Sequence, residues 1–388
     1  MRMLFSCRPI AGHFLPLASL AASAKQRGHT VAFATSEPIA SQVRATGYDC
    51  FPAGLSDADS RVKLIHAGIV FRDLAPDQMR PVAFGRWFSV IETPPRLADL
   101  DRICAEFRPD LLVHEVAELA APLAAASAGL PWVTVGFGPL LQPDVATLAG
   151  DGVAPLWRER GLPQRSCAGL YEHLYVDPCP PALQIAEIDS LPARIGLRPE
   201  AALNQSKAIG PHGAGRIYVT FGTVWNSGPT AVERLRMAVA GSASLGAEVI
   251  VTVGKENDPA LLGAMPANVQ VHRFIPQDQV LTDCTCVVVH GGAGTMVGAL
   301  AWGLPLLILP QFADQFYNAE RAVLAGVALA LAPSDVSVKA VSACAEKLMS
   351  DTAFAACAAS VRDELASMPS VEEVLDRIEA LAMRPQLP

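Results

Sequence analysis

Charge is scarce in this chain of 388 residues. Asp, Glu, Lys and Arg make up 18% and hydrophobic residues 51%, which excludes a disordered chain and fits α/β domains whose strands are buried on both faces. Positive charge is the scarcer sign, with 30 Lys and Arg against 38 Asp and Glu and a formal net charge of −8. No basic stripe is visible, so neither nucleic acid nor an anionic membrane surface is an expected partner. Metal-type cysteine spacing is also lacking. The nine cysteines are scattered, and the only close pair, Cys284 and Cys286, is spaced CxC. That argues against a zinc site or a disulfide framework and for reduced thiols in a cytoplasmic protein. Two stretches lack charge for longer than a membrane span needs, one between Glu118 and Asp144 and one between Asp283 and Asp314. Pro and Gly interrupt both, so they read as strand, turn and short helix, and no membrane span is expected. The apolar N-terminus reads as a strand to Ser6 that breaks at Pro9 and Gly12, which is folded protein in place of a signal peptide.

The length exceeds what one core usually supports. In the first half short apolar runs (MRMLFS, VAFAT, DLLVH, PWVTVG) alternate with helical patterns, the mark of a parallel sheet with crossover helices. Loops and short helices are expected at 51–96 and an irregular region at 137–180, the second a candidate substrate surface. The glycine-rich segment 201–215 lacks periodicity and reads as a linker. Alternation restarts with RIYVTFG, EVIVTVG, VQVHRF, CVVVH and PLLILP. The expectation is therefore α/β, with two tandem Rossmann-like doubly wound domains over 1–200 and 216–388. The final helices are compatible with packing back on the first domain.

CVVVH followed by GGAGTMVGALAWG is a strand, a glycine-rich turn and a helix start, which aims free backbone N–H groups at an anion such as a diphosphate. Gly291, Gly292 and Gly294 let the backbone approach, Thr295 adds a hydroxyl, and His290 adds a donor that can become cationic. A tight turn with a core histidine is the other reading of the same residues. In PQFADQFYNAE, Asp314 and Gln315 emerge at the carboxyl edge of the sheet and suit sugar hydroxyls, or else form a solvated helix cap. Gly222 and Thr223 end another strand, and RFIPQDQVL offers Phe274 as a face for a pyrimidine and Gln277 for polar contacts.

Taken in order, GHFLPLASLA, FGT at Phe221, PQ at Pro276, HGGAGT at His290 and PQFADQFYNA resemble family 1 glycosyltransferases of the GT-B fold, particularly those that decorate bacterial antibiotics such as enediynes, macrolides and aromatic polyketides. The resemblance implies an active site in the cleft between the two domains. It gives the pyrophosphate to His290 and the amides of Gly292, Ala293, Gly294 and Thr295, the base to Phe274 and Ile275, and the donor sugar to Asp314 and Gln315. Gly222 and Thr223 join the nucleotide-binding set. Many relatives carry an acidic residue eight positions after the histidine to hold ribose hydroxyls. Here it is Gly298, which favours a dTDP-sugar as co-substrate, with no further cofactor.

Transfer to an acceptor hydroxyl requires a base, and the family's base position is His13, after the first strand. The residues alone leave a helix cap as an equal reading. Its carboxylate partner is expected to be Glu115, with Glu118 as fallback; His114 and His29 read as structural. One-step displacement would invert the anomeric centre, and the diphosphate would be stabilised by N–H groups without a metal. DAD at Asp57 to Asp59 imitates a metal motif but lies in a polar loop and is set aside. The acceptor is expected to be hydrophobic, with Phe71, Phe84, Trp87, Phe88, Phe137 and Trp157 as lining or core, and a homodimer is compatible with the sequence. Two rivals remain: a catalytically inactive accessory protein of the same fold, and an NAD-dependent oxidoreductase, whose GxGxxG spacing here is GxGxxxG.

Overall fold

The structure, a computed structural model, describes residues 1–202, 215–222 and 229–383. Its strands form two sheets. In the first, β1 (Arg2–Ser6), β2 (Thr30–Thr35), β3 (Asp49–Pro52), β4 (Leu111–Glu115), β5 (Trp132–Val135), β6 (Leu174–Asp177) and β7 (Arg194–Gly196) lie in the order β3-β2-β1-β4-β5-β6-β7. In the second, β8 (Arg216–Thr220), β9 (Glu248–Thr252), β10 (Val269–His272), β11 (Cys286–Val289), β12 (Leu306–Ile308) and β13 (Ala328–Ala330) lie in the order β10-β9-β8-β11-β12-β13. Every pairing is parallel.

Strand periodicity explains the uninterrupted apolar runs. Met3, Phe5, Leu111 and Val113 enter one core layer with Leu17 and Leu20 of the helix Ala11–Gln26, while Leu4 and Leu112 enter the opposite layer with Leu100 and Ile103. A sheet covered on both faces leaves no face for polar side chains. In the second sheet Ile217, Val219, Val249, Val251, Val288 and Leu307 share one such layer.

The chain forms two compact units. One holds Met1–Cys179, Ile185–Leu197 and the chain from Pro369; the other holds Pro180–Gln184 and Arg198–Met368. The helix Val371–Ala382 lies in the first unit, where Val374, Leu375 and Ile378 are buried in its core. Arg27 donates to Asp376 at 2.6 Å and to the Glu372 carbonyl at 2.8 Å, and His29 meets Glu379 at 2.8 Å. His29 is thus a clasp on this helix as well as a turn residue. Of the linker expected at 201–215, 203–214 lie outside the described residues.

The region 137–180, expected to be irregular, holds a long helix, and 51–96 is helical over more of its length than short helices between loops would give. Pro143–Glu159 is a helix of 17 residues with Pro143 in its first turn. Its glycines serve close packing, not turns: a Cβ on Gly150 would lie 3.1 Å from the Ala168 nitrogen, and one on Gly152 would strike the Ser89 hydroxyl. TPP at Thr93 opens the helix Thr93–Phe107, because proline in a first turn has no N–H to waste. Before it, Ala83–Glu92 is wound as a π-helix. The DAD tripeptide is not in a loop: it opens the helix Asp57–His66, capped by the Ser56 hydroxyl, which accepts from the Asp59 N–H at 3.0 Å. Among the described residues no helix is long and apolar enough to cross a membrane.

Candidate active site

In both sheets the strand order reverses beside the first strand, between β1 and β4 and between β8 and β11. Loops leaving the carboxyl ends of such strands diverge and open a crevice. His13 and Glu115 flank the first reversal; Gly222 and His290 flank the second.

In the first unit, pairing of Ser6 with His114 sets the ends of β1 and β4 level. His13 stands in the first turn of the helix Ala11–Gln26, whose cap residue, Ile10, makes no side-chain cap bond. The ring nitrogens meet Glu115 and Arg8, not a backbone N–H of the helix end, so the cap reading fails. His13 Nδ1 lies 3.0 Å from Glu115 Oε1, but the N–H does not line up with that oxygen, which makes the contact an ion-pair approach without an aligned hydrogen bond. Glu115 is fully buried and is fixed by the Ala117 N–H at 2.6 Å and the Arg8 N–H at 3.2 Å. Burial alone would raise its pKa, yet His13 and Arg8 hold it below the usual carboxylate value. Glu118 does not reach His13. It accepts from the Ala120 and Ala121 N–H groups at 2.8 and 3.2 Å, with Arg96 at 4.0 Å, and burial raises its pKa. His114 is structural: Nδ1–H points to the Glu118 carbonyl at 2.8 Å, Thr134 Oγ1 meets Nε2 at 2.9 Å, and burial pushes its pKa down to about 4.

Arg8, Glu92 and Ser60 complete this site and went unrecognised in the sequence. Arg8 donates to Glu92 through Nε at 2.6 Å and Nη2 at 2.9 Å, its Nη1 meets His13 Nε2 at 3.3 Å, and its guanidinium lies 4.0 Å from the Phe88 ring centre. Ser60 donates to Glu92 at 2.5 Å and accepts from Trp87 Nε1 at 2.7 Å. Of the aromatics weighed as acceptor lining, Phe84, Trp87, Phe88 and Trp157 are buried in the core. Phe71 and Phe137 are half-buried, and Phe137 meets the His13 ring edge-on at 5.0 Å.

The second site is built around glycines. A Cβ on Gly292 would lie 2.5 Å from His290 Nε2, and one on Gly222 would lie 2.7 Å from His290 Cε1. The imidazole therefore occupies space that two absent side chains leave, and Gly222 and Gly291, with φ of 72° and 95°, adopt turns that other residues resist. Thr223 lies outside the described residues. Burial pushes the His290 pKa down to about 4, which favours the neutral ring at neutral pH. Gly292 precedes the helix Ala293–Ala301 with no side-chain cap, which leaves the first N–H groups, including those of Ala293, Gly294 and Thr295, without intrahelical carbonyls.

Asp314 precedes the helix Gln315–Leu324, and Ala313 before it has φ of 56°, a strained value for a residue with a Cβ. Two contacts hold that turn. Gln315 is buried and its Oε1 accepts from the Gln311 and Phe312 N–H groups at 2.8 and 3.0 Å, so this oxygen serves the loop. Buried Asn318 donates to the Gly291 carbonyl at 2.9 Å and to Asp314 Oδ2 at 2.8 Å, tying the two loops. Phe274 is exposed, with Lys255 Nζ 4.3 Å from its ring centre; Ile275 follows it at half burial. Gly298 is not an empty slot: a Cβ there would run into the carboxamide of Gln277, which donates to the Thr295 carbonyl at 3.0 Å.

Two parallel α/β sheets with loop sites at both reversals define the GT-B class of glycosyltransferases. Family models for the N- and C-terminal domains of erythromycin biosynthesis protein CIII-like proteins match residues 22–195 and 236–381. The chain is 29% identical to the L-demethylnoviosyl transferase of Streptomyces niveus, covering 98% of each. It is 26% identical to the 3-alpha-mycarosylerythronolide B desosaminyl transferase of Saccharopolyspora erythraea, again covering 98% of each. The fold matches the glycosyltransferase VinC, solved in complex with dTDP, with a TM-score of 0.75 at 21% identity over 99% of this chain and 100% of that one. The chain belongs to the erythromycin biosynthesis protein CIII-like family of natural-product glycosyltransferases.

Proposed function

We propose that this protein transfers a sugar, a deoxysugar by preference, from a dTDP-sugar to a hydroxyl of a hydrophobic natural product, with inversion at the anomeric carbon and His13 as general base. The observation that carries the reading is the His13–Glu115 pair at the first strand reversal, 3.0 Å apart. A carboxylate held below its usual pKa stays anionic and stabilises the imidazolium that forms when the acceptor hydroxyl gives up its proton. The acceptor oxygen then bonds to the anomeric carbon as the bond to the diphosphate oxygen breaks. The leaving diphosphate gains charge, which neutral His290 and the free N–H groups at the start of Ala293–Ala301 are arranged to receive. Those donors supply the stabilisation a metal would otherwise give. Asp314 meets the sugar hydroxyls and Phe274 the base. Gln277, a neutral amide over Gly298, replaces the ribose-binding carboxylate and favours a deoxyribose; the dTDP held by VinC agrees with that donor.

The test is a thermal-shift panel of thymidine diphosphate, uridine diphosphate and NADH, followed by mass spectrometry of acceptors incubated with dTDP-sugars. Stabilisation by thymidine diphosphate at least equal to that by uridine diphosphate, and none by NADH, is expected. NADH binding as tightly as either diphosphate would reverse the assignment.

A further inference from the structure

Resting on the reading of His13 as the base, we propose that Arg8 is a positioning residue that sets the tautomer and basicity of His13. A guanidinium only donates and does not lose its proton in proteins. The 3.3 Å approach of Arg8 Nη1 to His13 Nε2 therefore requires a lone pair on Nε2 and the proton on Nδ1, toward Glu115. That is the form a base must have before it acts, and protonation of Nε2 brings two N–H groups face to face. The acceptor hydroxyl must displace Nη1 from that lone pair before its proton can move, but Arg8 keeps its charge beside the ring. Arg8 is 3% exposed, bonded twice to Glu92 and covered by Phe88 and Trp87, and Glu92 is itself tied to Ser60. The charged groups facing His13 are thus Glu115 from β4, which favours the imidazolium, and Arg8 from the turn after β1, which opposes it with its charge partly balanced by Glu92 of Ala83–Glu92. Arg96 and Glu118 stand behind Glu115, and Phe137 adds an uncharged ring edge.

Two variants with opposite expectations separate this role from a structural one. Arg8→Met with Glu92→Gln removes the cation without stranding a buried carboxylate. The acid limb of kcat/KM should rise by roughly one pH unit, a roughly tenfold loss at a pH on that limb. Glu92→Gln alone leaves Arg8 unbalanced and should move the limb down. In the wild-type protein, ¹⁵N-labelled imidazole resonances, assigned with His13→Ala, should show Nδ1 protonated and Nε2 bare at neutral pH. Limbs that stay together in all three proteins, or a bare Nδ1 in the wild type, would overturn the proposal while His13→Ala remains inactive. Full turnover by His13→Ala would instead remove the base reading itself.

Discussion

At the strand reversal of the first sheet the working groups are side chains, charged and already partnered, whereas at that of the second they are mostly backbone N–H groups exposed by glycine. His13, Arg8, Glu92 and Glu115 are linked by contacts of 3.3 Å or less, and both carboxylates are held below their usual pKa. Around His290 the defining feature is the side chain missing at Gly222 and Gly292. Proton transfer needs a titratable group whose pKa can be set, so it is built from ionisable side chains. Holding a diphosphate needs several donors with fixed direction, and helix-terminal amides supply them without side-chain entropy.

The largest expected effect falls on the first site. His13→Ala should lower kcat about 10²- to 10⁴-fold while calorimetric binding of thymidine diphosphate survives, because the donor residues are in the other unit. Glu115→Gln should lose less, since the imidazole keeps its lone pair but loses the anion that stabilises its protonated form. A folded His13→Ala protein with near-normal turnover would falsify the division of labour and point to Glu115 acting directly.

Next in size is acid sensitivity. His114 is buried as the neutral ring with a pKa of about 4, against about 6.5 when unfolded. Between those values the unfolded chain binds the extra proton, so stability from this group is intact above pH 6.5 and is lost as pH falls toward 4, by about 3 kcal/mol. Urea titrations from pH 7 to 4 should therefore show a steeper loss for wild type than for His114→Gln. Parallel curves would show that His114 is not protonated more readily in the unfolded chain.

The same contrast decided what could be read from sequence. HGGAGT and PQFADQF are contiguous and their glycines have few other uses, so the segments that build the second site could be picked out of the sequence, whereas the tie made by Asn318 and the use of the Gln315 oxygen by its own loop appear only in the structure; Thr223 lies outside the described residues. The first site is assembled from the turn after β1, the end of β4 and three helices. His13 and Glu115 were legible because each ends or follows an apolar strand, but Arg8 and Glu92 are 84 residues apart and look like ordinary charges until the fold pairs them. Parallel sheets were legible from uninterrupted apolar runs. The helix Pro143–Glu159 was missed because glycine and proline signal turns locally, while tertiary packing uses them for first turns and close contacts.

A third variant breaks the glycine side of the comparison. Gly292→Ala places a methyl 2.5 Å from His290 Nε2, and the ring must move for it to fit. Diphosphate affinity should fall about tenfold or more, equivalent to about 1.4 kcal/mol or more, with the first unit's stability unchanged. Unaltered calorimetric affinity would mean that the imidazole's position does not matter to the ligand.

An effect of similar size tests a side chain that ties two loops of the second site together. Asn318 is 2% exposed, and its single amide nitrogen serves both the Gly291 carbonyl and Asp314 Oδ2. An amide can do this because its NH₂ carries two hydrogens; a carboxylate of the same size has none to give. Asn318→Ala leaves a buried carbonyl short of a donor and frees Asp314 from its anchor beside strained Ala313, a loss of about 1–2 kcal/mol. Asn318→Asp should cost more despite its matching shape, because it sets a second negative charge against Asp314 and the carbonyl oxygen. Denaturant unfolding of the two variants gives the order, and turnover with a dTDP-sugar tells whether Asp314 has shifted. If Asn318→Asp proved as stable as wild type, the amide would not be the tie between the two loops, and the Asp314 turn would have to be held by Gln315 alone.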